Sequence, residues 1–270
     1  MERSEVVFIG HGSPMNVLLD NQYTRNWRAL STQLKRPKAI LAVSAHWYTD
    51  RCAISDKDYH KQIYDMYGFP DEIYKIEYNA KSDKTLEKRV IDLLGSVVEI
   101  NNDWGLDHGL WSVLKFMYPE ADIPLVIISI DATKTPMEHY DIARKLRDLR
   151  KEGYLILTSG NIVHNLRTVE WDNKGMNPVC EAFDDMVMEK IKTREYLDLV
   201  EYRKLENSSI AFHTPDHYIP LIYALGFLYG DEQTYAFNRG GELGTISMTS
   251  YIWKWGKWEQ KDLFRLFMLV

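Results

Sequence analysis

The chain lacks several features that would place a protein in a familiar class at first sight. It has only two cysteines, Cys52 and Cys180, which form no Cys-x-x-Cys pair and no disulfide framework, a usage typical of a reducing cytoplasm. It has no lysine-rich or arginine-rich block, and 33 basic against 39 acidic residues give a net charge of −6. We therefore expect no nucleic-acid partner. The longest apolar stretch, around residues 219–228, is too short to cross a bilayer, so we expect no membrane association.

Motifs for common cofactors and nucleophiles are also missing. There is no Gly-x-Gly-x-x-Gly fingerprint and no phosphate-binding loop ending in Lys-Ser/Thr, which disfavours a dinucleotide enzyme. Gly160 does not lie in a Gly-x-Ser-x-Gly elbow, which disfavours a serine hydrolase. The short zinc motif His-Glu-x-x-His is absent as well. The residues from Met1 to Glu5 lack the layout of a signal peptide, so we expect a cytoplasmic protein.

What the chain does have is an alternation of short apolar runs with helical patterns. Hydrophobic residues make up 45% of 270 positions, enough for a substantial core. Apolar runs bounded by turn residues, such as Val6 to Ile9, Ala39 to Ala45 and Leu155 to Thr158, predict buried parallel strands. The alternation predicts an α/β fold with a mostly parallel central sheet and helices on both faces. Because no internal repeat or linker appears, we predict a single domain over residues 1–252.

The remaining segment, residues 253–270, is unusually rich in aromatic side chains. It contains Trp253, Trp255, Trp258, Phe264 and Phe267. Such a segment either packs its rings on the body of the fold or forms the contact of a homo-oligomer. Sequence alone does not separate these alternatives, because both bury the same apolar surface.

Five of the eight histidines adjoin the predicted strands and helices. His11, His46 and His164 follow apolar strands, whereas His108 and His217 precede apolar helical patterns. In an open α/β sheet, ligands bind outside the carboxyl ends of the strands, where side chains from several strands converge. Each histidine alone also fits an ordinary turn, cap or core-edge position. Together they predict a metal enzyme, because neutral imidazole is the commonest ligand for a transition metal.

The predicted helix that carries His217 has a start signal of its own in the sequence. Thr214 is the expected N-cap and Pro215 the first helical residue, which places His217 in the first turn. The positive end of a helix disfavours imidazolium, so His217 would be neutral and able to bind a metal. Of the other histidines, we expect His139 on the surface of an amphipathic helix and keep His213 as a minor candidate.

Five motifs that contain these histidines carry a family resemblance. They are Gly10-His11-Gly12-Ser13-Pro14-Met15-Asn16, Ser44-Ala45-His46-Trp47, Trp104-Gly105-Leu106-Asp107-His108-Gly109, Ser159-Gly160-Asn161-Ile162-Val163-His164-Asn165 and Thr214-Pro215-Asp216-His217-Tyr218. In this order they resemble the 4,5-DOPA dioxygenase type of extradiol ring-cleavage enzymes, in the class III, LigB-like superfamily. The likeness runs from about residue 6 to about residue 252, which leaves the aromatic tail outside it.

The resemblance implies a LigB-like catalytic domain with one divalent metal, Zn²⁺ or Fe²⁺. It suggests His11, His46 and His217 as ligands, with His164 as a further ligand or as the catalytic acid/base. His108 is similar to the residue that hydrogen-bonds substrate or bound oxygen. The third ligand is an imidazole here, so the site departs from the two-histidine, one-carboxylate triad of non-haem iron oxygenases.

The implied partners are a small aromatic diol, DOPA-like, and O₂. Trp47 suits a flat ring in the pocket wall, and Asn161 suits a ligand contact, although Trp47 is equally compatible with the core and Asn161 with a turn. Two other functions use the same histidines. One is a zinc-dependent hydrolase working through metal hydroxide, and the other is a non-enzymatic metal-binding protein with a closed site.

Overall fold

The computed structural model describes residues 2–256, which are built around one eight-stranded sheet. The strands are β1 Val6–Gly10, β2 Ile40–Thr49, β3 Cys52–Ile54, β4 Tyr59–His60, β5 Ala80–Lys81, β6 Val98–Ile100, β7 Leu125–Asp131, β8 Leu155–Gly160, β9 Gln233–Phe237, β10 Gly241–Glu242, β11 Ile246–Ser247 and β12 Ser250–Lys254. The large sheet has the order β6-β3-β7-β2-β8-β1-β12-β9, and the pairs β4-β5 and β10-β11 form two small ribbons.

The centre of the large sheet is parallel, as predicted. Strands β7, β2, β8 and β1 run in one direction, and β12 and β9 extend the sheet antiparallel on one side. On the other side β3 meets β7 antiparallel and β6 meets β3 parallel. All five positions of β1 are buried, which explains why its sequence is an unbroken apolar run rather than an alternating one.

Helices cover both faces of the sheet, which confirms the predicted architecture. They are α1 Gln22–Gln33, α2 Lys84–Leu94, α3 His108–Met117, α4 Pro136–Leu146, α5 Pro178–Thr193, α6 Tyr196–Val200, α7 Ser208–Ala211 and α8 Ile219–Gly226. Alternate residues of β1 enter two separate cores: Val6 and Phe8 pack with α2, α4, α5 and α8, whereas Val7 and Ile9 pack with α1 and α3.

The helix expected from Thr214 begins later than predicted. Helix α8 starts at Ile219, and the residues before it form a turn in which the N–H groups of Tyr218 and Ile219 both bond to the carbonyl of Pro215. The helix does not extend back because the carbonyl of His217 accepts the N–H of Asn161, 2.9 Å away, and is unavailable to a helical partner. His217 therefore lies in a loop that α8 follows.

The expectation of a surface position for His139 is wrong. His139 is fully buried, and its Nδ1 lies 3.1 Å from the hydroxyl of Tyr223 on α8. It shares the inner stripe of α4 with Ile142, Ala143 and Leu146, at the i, i+3, i+4, i+7 spacing of a buried helical face. Burial lowers the pKa of His139 to about 4, so this imidazole stays neutral inside the core.

The start of the aromatic tail belongs to the sheet. Trp253 lies in β12, pairs with Val6 on one side and Thr234 on the other, and is fully buried. Trp255 follows the strand and is partly exposed. The predicted packing of the rest of the tail lies outside the described residues. Within residues 2–256, no helix is long and apolar enough to cross a membrane.

Candidate metal centre and active site

The five predicted histidines come together at the carboxyl end of the parallel strands. His11 follows β1 directly, and His46 lies in β2 where the pairing with β7 shifts register between Val43 and Tyr48. His164 follows β8 on the next loop, His108 opens α3 and His217 precedes α8; these three positions complete the group. The ring centroids of His11, His46 and His217 lie 4.9–5.3 Å from one another.

The hydrogen-bond partner of His11 fixes which of its ring nitrogens faces the site. The hydroxyl of Ser159, at the end of β8, donates its one proton to the carbonyl of Gly109. The same hydroxyl lies 2.9 Å from His11 Nδ1, so it must accept a proton from that nitrogen. His11 Nε2 therefore carries a lone pair and is free to act as a ligand.

A single carboxylate, that of Asp65, lies against two other imidazoles. Its Oδ2 accepts from His108 Nδ1 at 2.9 Å and lies 3.3 Å from His46 Nδ1. Its Oδ1 accepts the backbone N–H of His108 at 2.9 Å. A carboxylate beside Nδ1 favours the tautomer with the proton on that atom, which leaves Nε2 of each ring with a lone pair.

His217 has the same kind of partner within its own turn. Its Nδ1 hydrogen-bonds to the carboxylate of the preceding residue, Asp216. Its Nε2 is buried and has no hydrogen-bond partner among the described residues. Burial is the largest single influence on the pKa of Asp216 and raises it, but the hydrogen bond and charge of His217, with smaller contributions from Thr214 and His164, together bring the pKa down to about 2. Asp216 is therefore ionised at neutral pH.

The ligand atoms of His11, His46 and His217 fit one small divalent cation. They all lie within 4.8 Å of one another, and the Nε2 atoms of His11 and His46 are 3.2 Å apart. Two nitrogens bound to one Zn²⁺ at about 2.0–2.1 Å with a tetrahedral angle are about 3.3 Å apart. His217 Nε2 is buried without a hydrogen-bond partner among the described residues, and the Nδ1 atoms of all three rings lie beside a hydroxyl or a carboxylate. Metal-binding histidines typically have such a partner at the nitrogen that does not bind the metal.

Burial favours the neutral form of three of the clustered imidazoles, His11, His46 and His164. Burial, with a further contribution from neighbouring histidines, holds the pKa of His11 and His46 well below the ordinary value of histidine. Burial and the adjacent His217 do the same to the pKa of His164, although Asp216 opposes the shift. Neutral imidazole is the form that binds a metal and that accepts a proton as a base.

His164 stands apart from the three converging nitrogens. Its ring stacks on His217 with a centroid distance of 3.6 Å and an interplanar angle of 5°. Its backbone is held by the N–H bond to Ala211 and by bridges to Phe212 and Ile246. Within residues 2–256 it does not join the group of atoms close enough to share a cation with His11 and His46.

Two glycines allow the strands and helices to approach so closely. A Cβ on Gly109, the second residue of α3, would lie 2.8 Å from Cδ2 of His46. A Cβ on Gly160, the last residue of β8, would lie 2.2 Å from the carbonyl oxygen of His217. Any side chain at either position would displace an imidazole of the site, which gives these glycines a steric role.

The two residues predicted to contact substrate occupy supporting positions. Trp47 is buried in the core that faces α1 and α3. Asn161 donates its side-chain N–H to the carbonyl of Ser247 at 2.7 Å and its backbone N–H to His217, so it holds the loop of that ligand. Its Oδ1 has no partner among the described residues. Contact of Trp47 and Asn161 with substrate stays a prediction.

Sequence reasoning missed the residues that orient the rings. Asp216 and Ser159 lie inside motifs that contain the histidines, and a carboxylate next to His217 was a usable signal. Asp65 lies in the loop Gln62-Ile63-Tyr64-Asp65-Met66, which has no metal-ligand spacing and no predicted strand end. Only the folded chain shows that this loop reaches the site.

Comparison with known proteins agrees with this geometry. Residues 6–251 match the family described as the catalytic LigB subunit of aromatic ring-opening dioxygenase. The chain is 42% identical to the 4,5-DOPA dioxygenase extradiol of Escherichia coli (strain K12), covering 92% of this chain and 94% of that protein. It is 34% identical to the protein of the same name from Beta vulgaris, covering 92% and 95%.

A solved structure shows the same fold. The crystal structure of an uncharacterized protein from Escherichia coli K12 matches with a TM-score of 0.80 at 39% sequence identity, covering 93% of this chain and 99% of that one. The family match covers nearly all of the described residues, including the five clustered histidines. The chain therefore belongs to the LigB family of aromatic ring-opening dioxygenases and is an enzyme of the extradiol type.

Proposed function

We propose that this enzyme opens the ring of a catechol-type, DOPA-like substrate with O₂ and that His11, His46 and His217 hold one divalent metal ion, Fe²⁺ or Zn²⁺. The observation that carries the proposal is the convergence of one ring nitrogen from each of three imidazoles, whose Nδ1 atoms lie beside Ser159, Asp65 and Asp216. When bound, the metal would lower the pKa of the substrate hydroxyls, and iron would add the electron chemistry that O₂ requires.

The ligand set favours an anionic bidentate guest. Three neutral imidazoles leave both positive charges of the metal uncompensated, and catechol can supply the balancing charge by losing protons from its two hydroxyls. The nearest carboxylates, Asp65 and Asp216, are engaged by imidazole N–H groups, so they are not free to serve as ligands. This charge balance supports a diol over a neutral substrate.

His164 is proposed as the acid/base rather than as a fourth ligand. It lies outside the group of three converging nitrogens, and its environment keeps the pKa of its imidazole low enough for the neutral, proton-accepting form. It would take a proton from a substrate hydroxyl and return it to the product. Its stacking on His217 holds it beside the position where those hydroxyls would bind.

His108 is proposed to stabilise negative charge that develops on oxygen. Its ring centroid lies 4.0 Å from that of His46 and 5.6 Å from that of His11, so it borders the ligand group. Asp65 fixes its Nδ1, which leaves Nε2 on the opposite side of the ring. Nε2 of the neutral ring carries a lone pair, so His108 would stabilise an oxyanion only after Nε2 has taken up a proton, for example one released by a substrate hydroxyl.

The overall reaction balances without a further reductant. Both atoms of O₂ enter the product, and the carbon–carbon bond next to the diol is broken to give a ring-opened semialdehyde with a carboxylate. Family membership favours this reaction over the zinc hydrolase and the non-enzymatic metal-binding protein, since both alternatives leave O₂ unused. Zn²⁺ has no redox chemistry, so the account expects Fe²⁺ to support turnover and Zn²⁺ only to fill the site.

Two further inferences concern where and how the enzyme works. The two cysteines, Cys52 and Cys180, are buried and unpaired, which fits the reducing cytoplasm that we infer for it. We also infer that the aromatic segment beyond residue 256 is the element to test for homo-oligomer formation, by comparing the sedimentation of the full chain with that of a chain ending at residue 256.

The proposal is tested by anaerobic reconstitution with Fe²⁺, followed by O₂ uptake with a panel of catechols and with matched monophenols. We expect equimolar consumption of O₂ and catechol, a yellow product, and no uptake with the monophenols or with the Zn²⁺-loaded protein. An Fe²⁺-loaded protein that consumes no O₂ with any catechol would overturn the proposed reaction.

A further inference from the structure

We propose that Asp65 is the positioning residue of this site, because its one carboxylate sets the tautomer and orientation of His46 and His108 together. This inference rests on the proposed function and deepens it, since it links a metal ligand to the imidazole that faces oxygen. No motif of the sequence points to Asp65, which lies on a loop outside the histidine segments.

Asp65 meets His108 at two polar atoms and His46 at one. Oδ1 accepts the backbone N–H of His108, Oδ2 accepts His108 Nδ1, and His46 Nδ1 lies 3.3 Å from Oδ2. The side chain of Asp65 is only 8% exposed, so water does not compete effectively for these groups. An ionised carboxylate can only accept, so His108 Nδ1 must be the donor in its hydrogen bond, and a carboxylate oxygen 3.3 Å from His46 Nδ1 favours a proton on that atom as well.

The consequence is a fixed tautomer in two rings. With the proton on Nδ1, Nε2 of His46 carries a lone pair. It lies 3.2 Å from Nε2 of His11, so both atoms could bind the same metal ion. His108 is held at both its backbone and its ring, so its Nε2 keeps one direction. Partners of this kind orient the ligand ring, and their loss typically weakens metal binding by about 10- to 100-fold.

The loop that carries Asp65 is itself anchored to the segment before α3. The N–H of Ile63 bonds to the carbonyl of Leu106, and the N–H of Leu106 bonds to the carbonyl of Lys61, each at 2.9 Å. The indole N–H of Trp111 donates to the carbonyl of Ile63 at 3.0 Å. These bonds hold the loop against the start of α3, and Asp65 follows two residues after Ile63.

Another arrangement of the same atoms is a second cation bound by His46, Asp65 and His108, whose ligand atoms also lie within 4.8 Å of one another. We favour the positioning role because the separation of 2.9 Å between Asp65 Oδ2 and His108 Nδ1 is the length of a charge-assisted hydrogen bond, and Oδ1 is already bonded to a backbone N–H. Metal stoichiometry separates the two arrangements.

The experiment compares Asp65→Asn with Asp65→Ala, and with Asp131→Asn as a matched control. Like Asp65, Asp131 is a carboxylate with little exposure to solvent. It lies at the end of β7, accepts hydrogen bonds from Thr133 and contacts none of the clustered imidazoles. The tautomers of His46 and His108 are measured in the metal-free proteins by long-range ¹H–¹⁵N NMR. Zn²⁺ affinity and stoichiometry come from competition with a chromogenic chelator, and kcat and KM from O₂ uptake with Fe²⁺.

We expect Nδ1–H tautomers in the wild type and in Asp131→Asn. In Asp65→Asn, the amide NH₂ becomes a donor beside a ring nitrogen, so at least one ring should change to Nε2–H. Zn²⁺ affinity should fall by about 10- to 100-fold in Asp65→Asn, and kcat should fall more than KM changes. Asp65→Ala places neither a carboxylate nor an amide NH₂ beside the rings, so both tautomers of His46 and His108 should appear. The loss of Zn²⁺ affinity should therefore be smaller than in Asp65→Asn.

Three results would overturn the inference. The first is that His46 and His108 carry their proton on Nε2 in the wild type. The second is that Asp65→Asn leaves both the Zn²⁺ affinity and the tautomers unchanged. The third is that the wild-type chain binds two Zn²⁺ ions and Asp65→Asn binds one. The wild-type NMR measurement decides the matter even if the variants fold poorly. Tautomer and Zn²⁺ readouts need no turnover, so failure of the ring-opening assay alone would count against the proposed function and not against the role of Asp65.

Discussion

The Nε2 atoms of His11 and His46 lie 3.2 Å apart, and the neighbours of their Nδ1 atoms, Ser159 and Asp65, favour a lone pair on each Nε2. Two lone pairs facing each other at this distance repel, and a cation between them turns the repulsion into coordination. The relationship supports the proposal that the site binds a cation. It also specifies which substitutions affect metal binding and which affect only chemistry.

Because we propose His46 as a metal ligand, we expect His46→Ala to abolish both metal uptake and ring opening. Elemental analysis after reconstitution with Fe²⁺ or Zn²⁺ checks the first effect, and O₂ uptake checks the second. The control is His213→Ala, because His213 is exposed and lies outside the cluster. Full metal content in His46→Ala would remove His46 from the ligand set.

Replacing His164 should separate binding from turnover. His164→Ala keeps the three ligand imidazoles, so we expect metal content close to that of the wild type, with kcat lower by about 10²- to 10⁴-fold through loss of the acid/base. Metal analysis and steady-state kinetics on the same preparation provide the comparison. Wild-type turnover would refute the acid/base role, and loss of metal would show that His164 is a ligand.

A methyl group at Gly109 should disturb the site through His46. The Cβ of Gly109→Ala would lie 2.8 Å from His46 Cδ2, so we expect Zn²⁺ affinity to fall by roughly 10-fold or more as the ring moves. The matched control is Gly175→Ala, where the nearest atom to the new Cβ is an Asn173 oxygen 3.7 Å away. Equal Zn²⁺ affinity in the two variants would show that the contact with His46 is unimportant.

The free energy of unfolding should depend on pH in a way that reflects the raised pKa of the buried Asp184 carboxyl. Burial raises its pKa to about 6, even though the hydroxyls of Ser247 and Thr249 donate to it. A raised folded-state pKa means that the stabilising contribution is present below about pH 4 and is lost as the pH rises through 6. Relative to Asp184→Asn, the metal-free wild type should lose about 2 kcal/mol of unfolding free energy between pH 4 and pH 7.

This difference is measured by urea unfolding of both metal-free proteins across the pH range. If the new amide of Asp184→Asn fails to replace some hydrogen bonds of the carboxyl, the unfolding free energy of the variant falls by the same amount at every pH. The readout is therefore how the difference in unfolding free energy between wild type and variant changes with pH. A difference between the two proteins that stays constant from pH 4 to pH 7 would show that Asp184 titrates normally.

The parts of the fold that the sequence predicted are those set by local patterns. Unbroken apolar runs such as that of β1 indicated the buried parallel strands. The histidines were predictable because strand ends of a parallel sheet share one edge. The antiparallel edge strands were not separated from the parallel ones, because pairing direction leaves no mark on so short a run.

The parts that failed depend on tertiary contacts. The start of α8 moved because the carbonyl of His217 pairs with Asn161 across the site, a partner 56 positions away in sequence. The burial of His139 also depends on a tertiary contact, because a histidine occurs as readily at the polar edge of a helix as in the core, and here Tyr223 of α8 covers the ring. Asp65 was missed because nothing local marks a loop that is recruited to the site by bonds to the chain before α3.

X-ray absorption spectroscopy of the Zn²⁺-loaded protein tests the central claim most directly, because it counts the imidazoles bound to the cation. We predict three imidazole nitrogens at about 2.0–2.1 Å, completed by solvent, in the wild type and in His164→Ala, and two in His46→Ala if any metal is retained. A wild-type spectrum with fewer than three imidazoles, or with a carboxylate oxygen from Asp65 or Asp216 in the ligand set, would contradict the account.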